Sequence, residues 1–107
     1  MRLVDYKEEE LYRGTTFRFH ATYSFEEIVE FMLINYPNSE SGYAIICISG
    51  YCAGHVERVL PKEALCKNGV NVSTRWLVNN WNKEITPNTI VEEIYLIEKT
   101  TPSCLID

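Results

Sequence analysis

Hydrophobic and polar positions alternate most clearly along Thr16-Phe17-Arg18-Phe19-His20-Ala21, with Phe17, Phe19 and Ala21 on one side and Thr16, Arg18 and His20 on the other. A period of two is that of a strand with one buried face. The pattern then changes. Ser24-Phe25-Glu26-Glu27 has the form of a capping box, in which the serine oxygen accepts the Glu27 amide proton and the glutamate reaches back to the Ser24 amide. Phe25, Ile28, Val29, Met32, Leu33 and Tyr36 recur at steps of three and four, the stripe of an amphipathic helix, leaving Glu26, Glu27 and Glu30 to solvent. Pro37 is expected to end this helix, and Asn38-Ser39-Glu40-Ser41-Gly42 to turn the chain.

Tyr43-Ala44-Ile45-Ile46-Cys47-Ile48-Ser49 is continuously apolar and rich in β-branched residues, which predicts a strand in the middle of a sheet. Gly50 and Gly54 bracket a turn or bulge, after which His55-Val56-Glu57-Arg58-Val59-Leu60 can pair back. Pro61-Lys62-Glu63-Ala64-Leu65 suits a single helical turn and Lys67-Asn68-Gly69 a tight turn. Ser73 then stands where an N-cap would open a second helix, with Leu77 and Trp81 on one face. Ile85 to Thr89 reads as a loop and Ile90 to Glu98 as a final strand, while Leu3-Val4-Asp5-Tyr6 is a short strand or a lead-in segment. The order β-α-β-β-α-β predicts an α+β fold, a single mostly antiparallel sheet of about four to five strands packed by two helices. Its expected core is Phe17, Phe19, Ile46, Ile48, Trp76, Leu77, Trp81 and Ile94.

A chain of 107 residues supports one core, so residues 1–107 are expected to form one domain. With 46% hydrophobic and 23% charged residues it is ordinary globular material rather than a disordered segment. Fifteen acidic against ten basic residues give a formal charge of −5, the wrong sign for a protein that grips nucleic acid through its phosphates. The longest apolar run, Tyr43 to Ile48, falls far short of the roughly 20 residues that span a bilayer. The charged first ten residues contain no apolar signal segment, so a cytoplasmic location is expected, with no membrane partner. In that compartment Cys47, Cys52, Cys66 and Cys104 are expected to be reduced.

Few residues offer chemistry. His20 and His55 are the candidates for an acid–base pair in a small hydrolase or nuclease, with Lys62 or Lys67 to stabilise developing charge, but nothing in their spacing brings them together. Cys47, Cys52, His55 and Cys66 can be aligned as a Cys3His zinc set, yet only Cys52-Ala53-Gly54-His55 has the tight spacing of a zinc knuckle. The thiols are therefore read as inert and the chain as free of metal and cofactor. Cys52 as a nucleophile has no group to orient His55, and neither glycine-rich phosphate-binding pattern occurs. Trp76 and Trp81 suit core anchoring better than base stacking, since few basic residues lie among them.

Acidic residues cluster at Glu8-Glu9-Glu10, at Glu26, Glu27 and Glu30, and again at Glu92-Glu93. Two readings stay open: a solvated surface, or a patch that steers a basic partner and takes the place of its phosphates. Seven tyrosines favour the second, because a tyrosine buries ring area while its hydroxyl hydrogen-bonds.

Leu60-Pro61-Lys62-Glu63-Ala64, Ser73-Thr74-Arg75-Trp76-Leu77-Val78-Asn79-Asn80-Trp81-Asn82-Lys83 and Val91-Glu92-Glu93-Ile94-Tyr95-Leu96-Ile97 resemble small immunity proteins of bacterial polymorphic-toxin and contact-dependent growth inhibition systems. The W-L-x-x-N-W-x-K segment is the most distinctive part, and the resemblance covers roughly residues 43–99. It implies a short, acidic, cytoplasmic α+β protein with neither cofactor nor catalytic residues. Its partner would be one cognate toxin domain, often a nuclease, whose active site it blocks. The resemblance transfers no contact positions, so the expected toxin interface rests on charge: Glu8, Glu9, Glu10, Glu26, Glu27 and Glu30, with Tyr23 beside them. An open sheet edge would allow a weak homodimer as well as a monomer. The alternatives are the small hydrolase using His20 and His55, and a non-catalytic adaptor subunit.

Overall fold

The computed structural model describes residues 1–20, 28–87 and 89–97, and the capping box at Ser24 to Glu27 lies outside them. Leu3–Asp5 forms a 3-10 turn, neither strand nor plain lead-in, and buries Leu3. A two-residue strand, β1 (Glu10–Leu11), follows, and then β2 (Thr16–His20), where Phe17 and Phe19 are buried and Arg18 and His20 exposed as the alternation predicts.

The expected first helix is absent over its described part: Ile28–Asn35 is an eight-residue strand, β3. Ile28-Val29-Glu30-Phe31-Met32-Leu33-Ile34 is so nearly apolar throughout that helical and strand periods both fit it. Three of its residues are β-branched, and at two-residue steps Val29, Phe31 and Leu33 present one side that matches the side chains of β2. Phe31 and Leu33 are buried, while Met32 and Ile34 on the opposite face are half-buried. Pro37 still ends the element, and the turn to Gly42 (φ +81°) closes a hairpin in which the Tyr36 amide donates to the Gly42 carbonyl across 2.7 Å.

The next strand, β4 (Tyr43–Cys47), lies inside the sheet as expected. After a 3-10 turn at Gly50–Cys52 comes β5 (Val56–Val59), and after another at Lys62–Ala64 a short strand, β6 (Val72–Ser73). Ser73 caps the helix α1 (Thr74–Asn80), its Oγ accepting from the Trp76 amide at 3.1 Å. A π-helical turn, Trp81–Ile85, continues α1. The predicted last strand is shortened: Val91–Glu93 is a 3-10 turn and only Tyr95–Ile97 pairs, as β7.

Five strands form an antiparallel sheet in the order β5-β4-β3-β2-β7, and β1 pairs with β6 in a separate two-stranded sheet. The fold is thus α+β, with one α-helix among the described residues in place of the two expected. Phe17, Phe19, Phe31, Leu33, Ile45 and Cys47 project from one face of the five-stranded sheet onto Leu11, Val72, Leu77 and Trp81 in the layer above. Phe17, Phe19, Leu77, Trp81 and Ile94 are buried as expected. Ile46 and Ile48 are only half-buried, because the core face of β4 carries Ile45 and Cys47 instead; Trp76 is half-buried at the edge of the core. The opposite face carries a row, Thr16-Met32-Ile46-Val56, running from β2 to β5 with no described layer above it.

Candidate functional site

The lead-in segment crosses the layer of α1 and β6 and leaves a groove of about 730 Å³ between them, closed on its third side by Cys66, Lys67 and Asn68. The acidic run Glu8-Glu9-Glu10 lies along this groove, but so do Lys7, Lys67 and Arg75, so its charge is mixed rather than uniformly negative. The three glutamates do different things. Glu10 is part of β1, and its Oε1 accepts from Asn71 Nδ2 at 2.7 Å and Asn68 Nδ2 at 3.3 Å. Those two amides stabilise the charged form and hold the carboxyl below its ordinary range. Glu9 serves the fold through its backbone, its carbonyl accepting from the Thr74 amide at 3.0 Å and from Cys66 Sγ at 3.5 Å. The side chains of Glu8 and Glu9 are exposed and form no ion pair among the described residues. Burial, with Glu8 and Tyr12 nearby, pushes the neighbouring Tyr6 hydroxyl up.

The second acidic group is divided. Glu26, Glu27 and Tyr23 lie outside the described residues. Glu30 sits on β3 rather than on a helix, opposite Arg18, whose Nη2 reaches Glu30 Oε2 at 2.7 Å and whose Nε donates to the same oxygen at 2.8 Å. Arg18 alternates with Phe17 and Phe19, so this ion pair lies on the face of the sheet opposite the helical layer, away from the groove. Among the described residues, Glu30 is therefore set apart from Glu8, Glu9 and Glu10. Glu92 and Glu93, exposed on the turn Val91–Glu93, instead adjoin the lead-in segment, where that turn packs on Leu3–Asp5.

His20 and His55 are exposed at the end of β2 and in the turn before β5, separated by the full run of strands from β2 to β5, on the order of 14 Å. An acid–base pair is not assembled from them. The tryptophans do not form a stacking platform either. Trp81 is fully buried among Phe17, Phe19 and Phe31, with ring centroids at 5.3, 6.0 and 6.2 Å.

Two thiols of the candidate Cys3His set do converge, together with a carboxylate outside that set. Cys47 Sγ, Cys52 Sγ and a Glu57 carboxylate oxygen lie within 4.8 Å of one another, whereas Cys66 is at the groove and the His55 nitrogens stand outside the cluster. Burial pushes the Cys47 thiol up, and Cys52 and Glu57 add to that effect. Sequence spacing missed Glu57 because its position depends on a register shift in the β4–β5 pair; Gly50 and Gly54 around the turn were the only local hint.

Among the described residues, the groove and the acidic turn beside it present charged and polar side chains at the surface. The family model for Immunity protein 45 matches residues 3–96, nearly the whole chain. The chain belongs to that family, which makes it a small immunity protein of polymorphic-toxin type systems, with a toxin-neutralising role and a cognate toxin as partner. No curated protein and no solved structure matches it. No helix among the described residues is long and apolar enough to cross a membrane.

Proposed function

We propose that the protein neutralises its toxin by covering the toxin's active site, that the toxin is a basic nuclease, and that the complex forms in the cytoplasm from a monomer or weak homodimer. The observation that carries this reading is the family match over residues 3–96, taken together with the chain's formal charge of −5. A nuclease site holds phosphate with cationic side chains, and carboxylates on a binding partner can occupy the same positions while their field accelerates encounter.

Glu8 and Glu9 are the carboxylates best placed for this role, since each is exposed and neither is engaged in an ion pair among the described residues. Glu92 and Glu93 extend the negative surface on the adjoining turn. Glu10 and Glu30 contribute less free charge, being bonded to Asn71 and Arg18. Tyr23, Glu26 and Glu27 belong to the proposed interface on the strength of the sequence.

The test is to express this protein with the toxin domain encoded beside its gene and to purify the pair. An equimolar complex that no longer cleaves nucleic acid is expected. A complex that cleaves at the full rate of the free toxin would overturn occlusion. A toxin acting on something other than nucleic acid would overturn the nuclease assignment while leaving the immunity role intact.

A further inference from the structure

The turn joining β4 to β5 is held more firmly than its length suggests. The Cys47 amide donates to the His55 carbonyl at 2.9 Å, the Gly54 amide returns to the Cys47 carbonyl at 2.7 Å, and the His55 amide donates to the Cys52 carbonyl at 2.8 Å. Gly54 takes φ +90°, a left-handed conformation that side chains disfavour, to close the turn. These bonds place Cys52 over Cys47, the last residue of β4.

Opposite them the β4–β5 register shifts: Ile45 faces Arg58 and Ile46 faces Val56, which leaves Glu57 as the extra residue of a β-bulge. In a regular strand Glu57 and Arg58 would point to opposite faces. With the bulge both turn toward the helical layer, Arg58 to an ion pair with Glu84 and Glu57 to the two thiols. The Glu57 carboxylate forms no ion pair among the described residues.

We propose that Cys47, Cys52 and Glu57 form a zinc-binding site at the β4–β5 turn. Tetrahedral zinc, with bonds of about 2.3 Å to sulfur and 2.0–2.2 Å to carboxylate oxygen, sets its donors about 3.6–3.8 Å apart. The observed donors, within 4.8 Å of one another, need to close by about an ångström at most. Two sulfur donors select against magnesium and calcium, and the carboxylate suits borderline zinc better than copper(I). Cys47 anchors the site from the core, whereas Cys52 is exposed, so the ion has a path in from solvent and a fourth position for water. Binding releases the thiol protons and ties the turn to both strands.

The experiment titrates the reduced, metal-free full chain with cobalt(II) and then with zinc. One cobalt per chain is expected, with thiolate-to-cobalt charge-transfer absorption that zinc abolishes, and zinc should raise the thermal midpoint by mass action. Cys52→Ser should eliminate the charge-transfer band and the zinc-dependent rise. Glu57→Gln should weaken binding by more than the roughly 10–100-fold typical of losing an outer-shell partner. A Cys66→Ala, Cys104→Ala double variant should keep both signals. Absence of the band in the wild type, or its persistence in Cys52→Ser, would overturn the site; because Cys52 and Glu57 lie outside the core, circular dichroism of these variants separates loss of binding from loss of fold.

Discussion

Trp81 meets Phe17 with ring centroids 5.3 Å apart and planes inclined at 56°, and this contact fastens the helical layer to the five-stranded sheet. Phe19 and Phe31 complete the cluster from β2 and β3, edge-on to each other at 5.1 Å. The contact follows from local sequence. Ser73 starts α1 at a fixed residue, so Leu77 and Trp81 fall on the same side one turn apart.

Trp81→Ala should therefore cost about 3–5 kcal/mol, a large part of the roughly 5–15 kcal/mol that stabilises a domain. Trp81→Phe should cost less, since the indole nitrogen is buried with no hydrogen-bond partner among the described residues and only area is forfeited. Trp76→Ala, at a half-buried position, should also fall well below the Trp81→Ala cost. Urea unfolding of the three variants checks the order; a Trp76→Ala loss equal to that of Trp81→Ala would contradict it.

The sequence exposes this part of the fold because cap, spacing and aromatic identity all agree. At Ile28 to Ile34 they do not. Steps of three and four pick out Ile28, Val29, Met32 and Leu33, but steps of two pick out Val29, Phe31 and Leu33 equally well, and the Ser24 capping pattern favours the helix. What decides is tertiary: β2 and β4 offer backbone partners on both sides of β3. The continuous apolar run of β4 likewise carries no phase, so Ile46 and Ile48 were as eligible for the core as Ile45 and Cys47. The exposure of Glu8 and Glu9 is legible from their charge, whereas the bond between Glu10 and Asn71 joins β1 to a loop far along the chain and leaves no local signal. Glu57 beside the thiols is hidden for the same reason, since a bulge is a property of a strand pair.

The Glu10 bond has a pH signature. Its two amide donors lower the carboxyl pKa in the folded protein, so the contribution to stability is complete above the ordinary carboxylate value and is lost as pH falls through the depressed one. Wild type should exceed Glu10→Gln in stability at neutral pH, and the difference should shrink in acid. Unfolding curves of both proteins across the acidic range measure it. A difference that grows on acidification would reverse the sign and refute the assignment.

The thiols should react in order of exposure. Cys52 is exposed, Cys66 half-buried with its thiol pushed up by burial, and Cys47 buried with its thiol pushed up in the same way. In reduced, metal-free protein, iodoacetamide should label Cys52 first and Cys47 last of these three, with Cys47 slower by roughly tenfold or more because labelling requires local opening. Peptide mass spectrometry of timed samples reads the order directly. Cys47 reacting as fast as Cys52 would mean that the end of β4 opens freely.

Charge on the groove should govern how fast the toxin is met. Glu8 and Glu9 carry free carboxylates there, whereas Glu30 is paired with Arg18 on the opposite face of the sheet. Reversing both as Glu8→Lys, Glu9→Lys should slow association by about tenfold at low salt, a deficit that narrows as screening shortens the field to roughly 8 Å at physiological ionic strength. Stability should change by no more than about 0.5 kcal/mol, because the side chains are exposed and the bonds at Glu9 use its backbone. Glu30→Gln should barely alter association and should cost at most about 1 kcal/mol, the range of a solvent-screened ion pair. Stopped-flow mixing with the toxin domain over a range of salt concentrations separates the two surfaces. If Glu30→Gln slows association and the double reversal does not, the toxin approaches the sheet face opposite the helical layer instead of the groove.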